Sequence, residues 1–477
     1  MVEEGKIKNI DNFDRIMGKS EEKIDLKGDF VLPGFIDSHT HLVEEGLDME
    51  RVDLLEVETL EGAQYYLEKE VSKTPEEEWI VGVNFDESAW KMNDYPTKED
   101  LDEVTEEHPL IIKRICGHVA VANSNALDMI REDWNKVDRE KGLLREEVVW
   151  NLDDIMSTTK KEKIEAIKRA IQKVQSNGIT SVHDVVDRGS WEAYEELDEK
   201  EDLDLRVNCY LHYDEAEGLY PTEVSDFLSL RGLKMYADGS IGARTAALHE
   251  EYEDDPGNRG LLLLSREEME DIIKDAEEKN FQMMTHAIGD RAISTVLDAF
   301  ENASTKNEEL RHRIEHAEML WEENIKRIRD LSMVLSTQPN YAYKWSSSTE
   351  MNEKRLGKER LKKCNPYWDI QRALIDMAFG SDNIFLSPFF NIYCATNHPI
   401  LNQRISTYNA LKSYISAGAY ASRNENKYGS FEEGKMADFV VLSENPLEAK
   451  DVRDIEVKMT VVGGKIVYED SEEDRLS

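Results

Sequence analysis

FIDSH, at residues 35–39, is a short apolar run that ends in polar residues, and similar runs follow it along the chain. They are ITSVHD (179–184), LRVNCYLH (205–212), LKMYADG (233–239), FQMMTHA (281–287), HRIEHA (312–317), MVLSTQP (333–339) and LIDMAFGSD (374–382). Runs of about four to eight residues that are rich in branched and aromatic side chains are typical of buried strands. Because helix-like segments separate them, the sequence predicts an α/β protein with a right-handed (β/α)8 barrel, a TIM barrel.

The interval between the first and second runs is much longer than one helix and two loops require. Residues from about 45 to 165 are therefore predicted to be a large insertion after the first strand, overhanging the barrel mouth. Near the C-terminus, KMADFVVLSENP and VKMTVVGGKIVYED alternate apolar and polar residues around a Gly-Gly turn. We expect residues 1–34 and 426–477 to form a small composite β-sandwich beside a barrel at 35–425.

Composition argues against several classes of partner. The chain of 477 residues has 59 basic and 100 acidic side chains, for a formal net charge of −41. Such a surface repels phosphate groups, so neither nucleic acid nor a membrane is an expected partner. The four cysteines form no CxxC pair, and no run of about 18 apolar residues occurs. We expect a cytoplasmic protein that acts on a small-molecule substrate.

Four histidines lie near the ends of predicted strands. His39 and His41 are two positions apart, so alternation on a strand directs both imidazoles to one side. His286 and His316 end later runs, and barrel enzymes place reactive groups at those ends. A lone histidine there is more often a packing residue, but four together indicate a metal site.

Asp382 and Lys234 are candidate metal ligands, but each could also have a purely structural role. Asp382 ends the last run, where it can ligate a divalent ion and accept a proton from water, or cap a helix. Lys234 lies in GLKMYADGS, and the ordinary reading is an ion pair within the barrel. An ammonium group has no lone pair, so Lys234 becomes a ligand only as a free amine or as a carbamate formed with carbon dioxide.

Several longer motifs resemble one known family. They are VLPGFIDSHTHL (31–42), GLKMYADGSIGARTAAL (232–248), HAIGDRA (286–292), RHRIEHAE (311–318), the closing GSD (380–382) and GKMADFVVL (434–442). These segments resemble the amidohydrolase superfamily, in particular its YtcJ-like branch (amidohydrolase family 3), which includes N-substituted formamide deformylase. The resemblance runs from about residue 25 to 470, with the motifs in family order.

The resemblance implies a metal centre and a reaction. It implies one divalent ion at His39, His41 and Asp382, and a second at His286 and His316, with a carboxylated Lys234 between them. One or two ions per chain are compatible with this set, and zinc is the expected metal. The implied reaction is attack of a metal-activated hydroxide on an amide or N-formyl carbon, with Asp382 as general base and then acid.

Alternatives to hydrolysis of non-peptide carbon–nitrogen bonds stay open. A deaminase or a cyclic-amide hydrolase of the same fold would use similar ligands, and the residues that distinguish them lie in variable loops. A non-catalytic binding module is a further alternative, which the complete ligand set argues against. A homodimer is expected only by analogy with other barrels.

Other motif residues have less specific interpretations. We expect Asp238, Arg244, Asp290 and Arg291 to brace loops more readily than to bind substrate. Glu315 should point away from its neighbour His316 on a regular strand, so it is not included among the ligands. Function and packing are equally weighted for His118 and Asn123 of the insertion, and Gln338 and His183 are candidates for facing the pocket.

Overall fold

The barrel consists of eight parallel strands. The computed structural model describes residues 1–11, 23–87, 90, 95–130, 136–304, 307–346 and 351–470. The barrel strands are β1 (Phe35–Thr40), β2 (Ile179–Val186), β3 (Arg206–His212), β4 (Leu228–Tyr236), β5 (Gln282–Ala287), β6 (Arg313–His316), β7 (Val334–Thr337) and β8 (Met377–Phe379). Each strand pairs with the next in chain order, from β1 to β8. Every residue of β1 and β2 is buried, as expected for strands covered on both faces.

The barrel closes where the chain beyond β8 runs beside β1. The Ser381 backbone N–H donates to Asp37 Oδ1 (3.0 Å), and the Asp382 N–H donates to the His39 carbonyl (2.9 Å). At Gly380 the two segments approach so closely that a Cβ would lie 2.6 Å from the His39 backbone nitrogen. Glycine is therefore required at position 380, and this contact brings Asp382 next to His39.

Helices surround the barrel and connect its strands. In the described residues the α-helices are Leu42–Asp48, Leu60–Val71, Lys98–Asp102, Ser124–Met129, Glu147–Trp150, Leu152–Ile155, Lys160–Ser176, Arg188–Glu199, Arg266–Glu278, Asp290–Ala303, Glu322–Asp330, Pro339–Trp345, Met351–Leu361, Tyr367–Arg372, Pro388–Thr396, Thr407–Tyr414 and Ser416–Ala421. Two of the longer helices begin with capping boxes, formed by Thr159 with Glu162 and by Ser265 with Glu268. None of the described helices combines the length and apolar character needed to cross a membrane.

The segment between β1 and β2 contains its own mixed sheet. Its strands, in sheet order, are Val52–Asp53, Ile80–Phe85, Leu110–Arg114, Val119–Ala122, Leu143–Arg145 and Val137–Asp138. Apolar clusters on the two faces of this sheet, around Leu67 and around Leu127, give it a core separate from that of the barrel. The predicted insertion after the first strand is confirmed.

Both ends of the chain contribute to a further β-structure. Strand Phe30–Pro33 pairs with Phe439–Leu442, which continues into Val457–Val462 and Lys465–Glu469. The hairpin of Val2–Glu3 and Lys6–Ile7 joins it through backbone hydrogen bonds such as Ile7 N–H to the Lys435 carbonyl (2.8 Å). The predicted barrel with a small composite β-structure from both termini is therefore confirmed.

Salt should stabilise this protein. The excess of acidic side chains, 100 against 59 basic ones, makes the folded chain repel itself. Salt shortens the range of that repulsion from about 10 Å at 0.1 M to about 3 Å at 1 M. We expect the thermal unfolding midpoint, measured by calorimetry, to rise between about 0.1 M and about 1 M NaCl. A midpoint that stays constant or falls would show that self-repulsion does not limit stability.

Candidate metal centre

His39 and His41 project from the end of β1 toward the barrel mouth. The Nε2 atoms of His39 and His41 lie 3.7 Å and 3.4 Å from Asp382 Oδ1. His39 is fully buried, and burial lowers its pKa to about 4, with a smaller contribution from the charge of Lys234. His39 is therefore neutral at pH 7, which is the form that binds metals.

Asp382 lies directly after β8, at a residue with φ of +51°. Aspartate tolerates this left-handed conformation better than most residues, and here it aims the carboxylate at both histidines. The Tyr341 hydroxyl donates to Asp382 Oδ2 (3.0 Å). Burial would raise the pKa of Asp382, but its hydrogen bond with His41 and its electrostatic interactions with the neighbouring histidines hold this pKa well below its usual range. The carboxylate is therefore ionised at neutral pH.

His39, His41 and Asp382 fit a divalent ion. Their ligand atoms all lie within 4.8 Å of one another, and no other group of three His, Cys, Asp or Glu side chains in the described parts of the chain does so. Two ligands at about 2.0–2.1 Å from a tetrahedral zinc ion lie roughly 3.4 Å apart, close to the 3.4 Å and 3.7 Å separations found here. Two imidazoles and a carboxylate are also a donor set typical of zinc.

His286 and His316 lie side by side at the ends of β5 and β6. Their ring centroids are 4.5 Å apart, and the His316 ring lies 5.0 Å from that of His39. His316 has a φ of +66° and its Nδ1 donates to Gln338 Oε1 (2.8 Å), which fixes the ring and leaves Nε2 available. His286 Nε2 donates to the Gly239 carbonyl (3.2 Å). The structure thus brings all four predicted histidines together, with Gln338 behind one of them.

Lys234 lies on β4 beside His39, and it lines the same cavity as all four histidines. Its Nζ is 3.3 Å from His39 Nε2 and 4.8 Å from the centroid of the Tyr236 ring. Only 1% of the residue is exposed, and this burial lowers the pKa of Lys234 to about 8. A neutral amine is therefore accessible near physiological pH, which reaction with carbon dioxide requires.

Glu315 supports His39 from inside the barrel. His39 Nδ1 donates to Glu315 Oε2 (2.5 Å), and the Arg313 guanidinium donates to both Glu315 oxygens (2.9 and 2.8 Å). Burial would raise the pKa of Glu315, but Arg313 and His39 hold it well below its usual range. The sequence did not predict this role. Neighbouring residues of a strand point to opposite sides, which separates Glu315 from His316, but this pattern does not show that Glu315 reaches His39 across the barrel.

Replacing Glu315 by glutamine should weaken metal binding. A ligand imidazole that loses its carboxylate partner typically binds its ion about 10- to 100-fold less tightly. Glu315→Gln should therefore raise the dissociation constant for Zn²⁺ by that factor in a competition titration with a chelator. It should also lower the thermal unfolding midpoint, because Arg313 loses its buried countercharge.

A matched buried pair provides the control. Glu277 lies 3.0 Å from His312 Nε2, away from the metal centre. Glu277→Gln should lower the unfolding midpoint but leave the Zn²⁺ affinity unchanged. Equal affinities for the wild type and Glu315→Gln would rule out the positioning role of Glu315.

The inserted segment contributes His118 and Trp150 to the barrel mouth. His118 Nδ1 donates to Glu146 Oε2 (2.7 Å), and its ring lies 5.3 Å from that of His286. Burial lowers the pKa of His118, but Glu146 outweighs burial and raises it to about 9. Asn123, by contrast, is fully buried and caps the helix Ser124–Met129, accepting a hydrogen bond from the Ala126 N–H. The structure therefore places His118 at the site and gives Asn123 a packing role.

The remaining motif residues hold loops or fill the barrel interior. Asp238 accepts from the backbone N–H groups of Ile288, Gly289 and Ala247. The other contacts are Arg244 with Asp254, Asp290 with the Trp321 indole, Arg291 with the Gly260 carbonyl, and His183 with Arg313. Asp238, Arg244, Asp290 and Arg291 thus brace loops, and His183 lies inside the barrel below the ligands.

A cavity of about 780 Å³ opens above these side chains. It is lined by His39, His41, Lys234, His286, His316 and Asp382 from the barrel and by His118 and Trp150 from the inserted segment. The volume is within the range of small-molecule sites, about 300–1,000 Å³. All six predicted ligands therefore face one cavity at the C-terminal end of the barrel strands, where barrel enzymes have their active sites.

Together, the barrel and the cluster at its mouth define the fold of a metal-dependent hydrolase. Residues 22–468 match the model of the amidohydrolase family, and the chain belongs to that family. It is 29% identical to the Bacillus subtilis protein YtcJ, over 98% of this chain and 96% of that protein. It is 25% identical to N-substituted formamide deformylase of Arthrobacter pascens, over 94% and 90% of the two chains.

A solved structure shows the same architecture. A metal-dependent hydrolase from Pyrococcus furiosus is 30% identical to this chain and superposes with a TM-score of 0.77, covering 94% of this chain and 95% of that one. The predicted resemblance to the YtcJ-like amidohydrolases is thus confirmed.

Proposed function

We propose that the protein hydrolyses carbon–nitrogen bonds other than peptide bonds, in small amides or N-formyl compounds. The convergence of His39, His41 and Asp382, with ligand atoms within 4.8 Å of one another at the floor of a large cavity, carries this proposal. The similarity to N-substituted formamide deformylase supports the choice of bond, since the name of that relative describes cleavage of a formamide.

His39, His41 and Asp382 would hold one divalent ion, with zinc as the first choice. His286 and His316 would hold a second ion, with Lys234 as a carbamate between the two. To form it, the Lys234 ammonium first loses a proton to water; the neutral amine then adds to the carbon of carbon dioxide and releases a second proton to water, which leaves an anionic ligand. A bound ion of this kind acts as a Lewis acid and makes water nucleophilic near neutral pH.

Asp382 is the proposed general base. Its carboxylate is ionised, lines the cavity with part of its surface exposed, and is held by the Tyr341 hydroxyl at Oδ2. It would accept a proton from the attacking water and then deliver that proton to the departing nitrogen. Tyr341 and Glu315 would act as positioning residues, because one orients Asp382 and the other orients His39.

A metal assay combined with a substrate panel tests the proposal. The purified protein should contain one or two equivalents of zinc or a similar ion, and it should release an amine from formamides or simple amides. Release of ammonia from amino-substituted rings, without cleavage of any amide, would instead identify a deaminase. Full metal loading with no turnover on either panel would indicate a non-catalytic module.

A further inference from the structure

Two cavities, one larger than the other, meet at the candidate metal centre. The larger has a volume of about 780 Å³, and a second one has a volume of about 380 Å³. Both are lined by His41, Glu44, Trp150, His212, Lys234 and Tyr236. Because His41 and Lys234 belong to the proposed metal centre, a molecule bound there has room to extend in two directions.

Three stacked rings line both cavities. The Trp150 indole lies on the Tyr236 ring with centroids 4.3 Å apart and planes 22° apart. The His212 ring also stacks on Tyr236, with centroids 5.7 Å apart and planes 22° apart. Trp150 comes from the inserted segment, whereas Tyr236 and His212 come from β4 and β3. Flat, polarisable faces of this kind favour planar groups that pack parallel to them or edge-on.

The lining of the second cavity combines charged side chains, among them Lys136, Lys163, Asp187, Asp214 and Glu215, with an apolar part. Val43, Val185 and the segment 261–264, which consists of four leucines, line it but do not line the larger cavity. The backbone of that segment is held by hydrogen bonds from Leu261 N–H to the Thr245 carbonyl (3.0 Å) and from Leu263 N–H to the Ala237 carbonyl (2.9 Å). Leu262 and Leu264 pack against the barrel core. The leucine segment is therefore the apolar part of the lining, and it is fixed to the end of β4.

We propose that the natural substrate is an amide with a bulky group on each side of the scissile bond. The smaller of these two groups is an aromatic ring, and it binds in the second cavity. This inference rests on the proposed function and narrows it. A formyl group, with one carbon and one oxygen, would leave a cavity of about 380 Å³ unfilled. An aromatic acyl or amine group would instead bury its faces against the leucines and the stacked rings.

Two anilides that release the same product test this proposal. N-formyl-4-nitroaniline has one bulky part, and N-benzoyl-4-nitroaniline has two, and both liberate yellow 4-nitroaniline. The metal-loaded wild type should cleave both. Leu263 lines the second cavity and is not among the leucines that pack against the core, so Leu263→Trp should fill this cavity and lower kcat/KM for the benzoyl compound by about 10-fold or more, a usual size for a lost pocket contact. The same variant should change kcat/KM for the formyl compound by less than about 2-fold.

A second variant keeps the test informative if Leu263→Trp does not fold. Leu261→Ala removes part of the leucine segment, which lines the second cavity but not the larger one, and should raise KM for the benzoyl compound but not for the formyl compound. Leu447→Trp serves as the control, because Leu447 is half-exposed and lines neither cavity. This control should cleave both compounds with the kcat/KM of the wild type.

The outcomes separate the inference from the proposed function. If no amide or formamide is cleaved by the metal-loaded wild type, the proposed function fails and the inference fails with it. If only the formyl compound is cleaved, or if the variants that fold affect both compounds equally, the inference is overturned and the proposed function stands. A selective loss on the benzoyl compound supports the two-sided site.

Discussion

Asp382→Asn should lower kcat by about 100-fold or more, the usual scale for loss of a general base, while the protein retains most of its metal. The amide oxygen of asparagine can still occupy the position of Oδ1 beside His39 and His41, 3.7 Å and 3.4 Å from their Nε2 atoms. It cannot take up a proton at neutral pH, so the attacking water and the departing nitrogen lose their proton carrier. Steady-state kinetics and plasma mass spectrometry of the same preparation measure the two effects.

The control is Asp298→Asn, which removes an exposed carboxylate that pairs with Arg327. We expect this control to have wild-type turnover and wild-type metal content. Wild-type turnover of Asp382→Asn would remove Asp382 from catalysis, and loss of all metal would make it a ligand without showing a role as base.

Lys234→Ala should lose most of both the metal and the activity. Lys234 Nζ lies 3.3 Å from His39 Nε2, with the other predicted ligands around it, so its removal takes away the anionic group proposed to join the two halves of the centre. A small carboxylate such as acetate would supply oxygen ligands in place of those of the proposed carbamate. It should restore part of the metal content and part of the turnover.

Mass spectrometry adds an independent measurement for Lys234, since native protein should be heavier by one carbon dioxide than acid-treated protein. Lys435→Ala provides the control, because Lys435 is a partly buried lysine that pairs with Glu432. Unchanged activity of Lys234→Ala would contradict the bridging role. Loss of activity without rescue, together with an unmodified mass, would indicate that Lys234 acts as an ordinary cation.

The barrel was predictable because each of its strands contains a short apolar run. The strand bounds were less accurate: β2 continues to Val186, two residues beyond the predicted run, and β4 begins at Leu228, five residues before it. The six-stranded sheet between β1 and β2 was less accessible, since strands such as Val52–Asp53 and Val137–Asp138 have only two residues each. Strands of that length have no periodicity to detect, and neighbouring strands define them more than their own sequence does. The sequence therefore predicted an insertion but not its internal topology.

In the candidate site, too, the sequence predicted some residues and missed others. His39, His41, His286, His316 and Asp382 lie at strand ends, so chemistry and position identified them together. Glu315 and Tyr341 depend on contacts between different βα units: Glu315 lies 276 positions from His39, and Tyr341 lies 41 positions from Asp382. Alternation along one strand gives no information on such pairs. Trp150 was missed for a different reason, because it belongs to a helix of four residues, Glu147–Trp150, within the insertion.

The junction of β1 with the segment after β8 also affects the order of folding. Its contacts join parts of the chain that are very distant in sequence, as between the His41 N–H and Asn383 Oδ1, 342 positions apart. The entropy of closing so long a loop must be overcome before these contacts contribute stability, so the junction should form late in folding. His39, His41 and Asp382 lie on its two sides. An ion bound there would bind only the closed chain, and would thus shift the folding equilibrium toward the complete barrel.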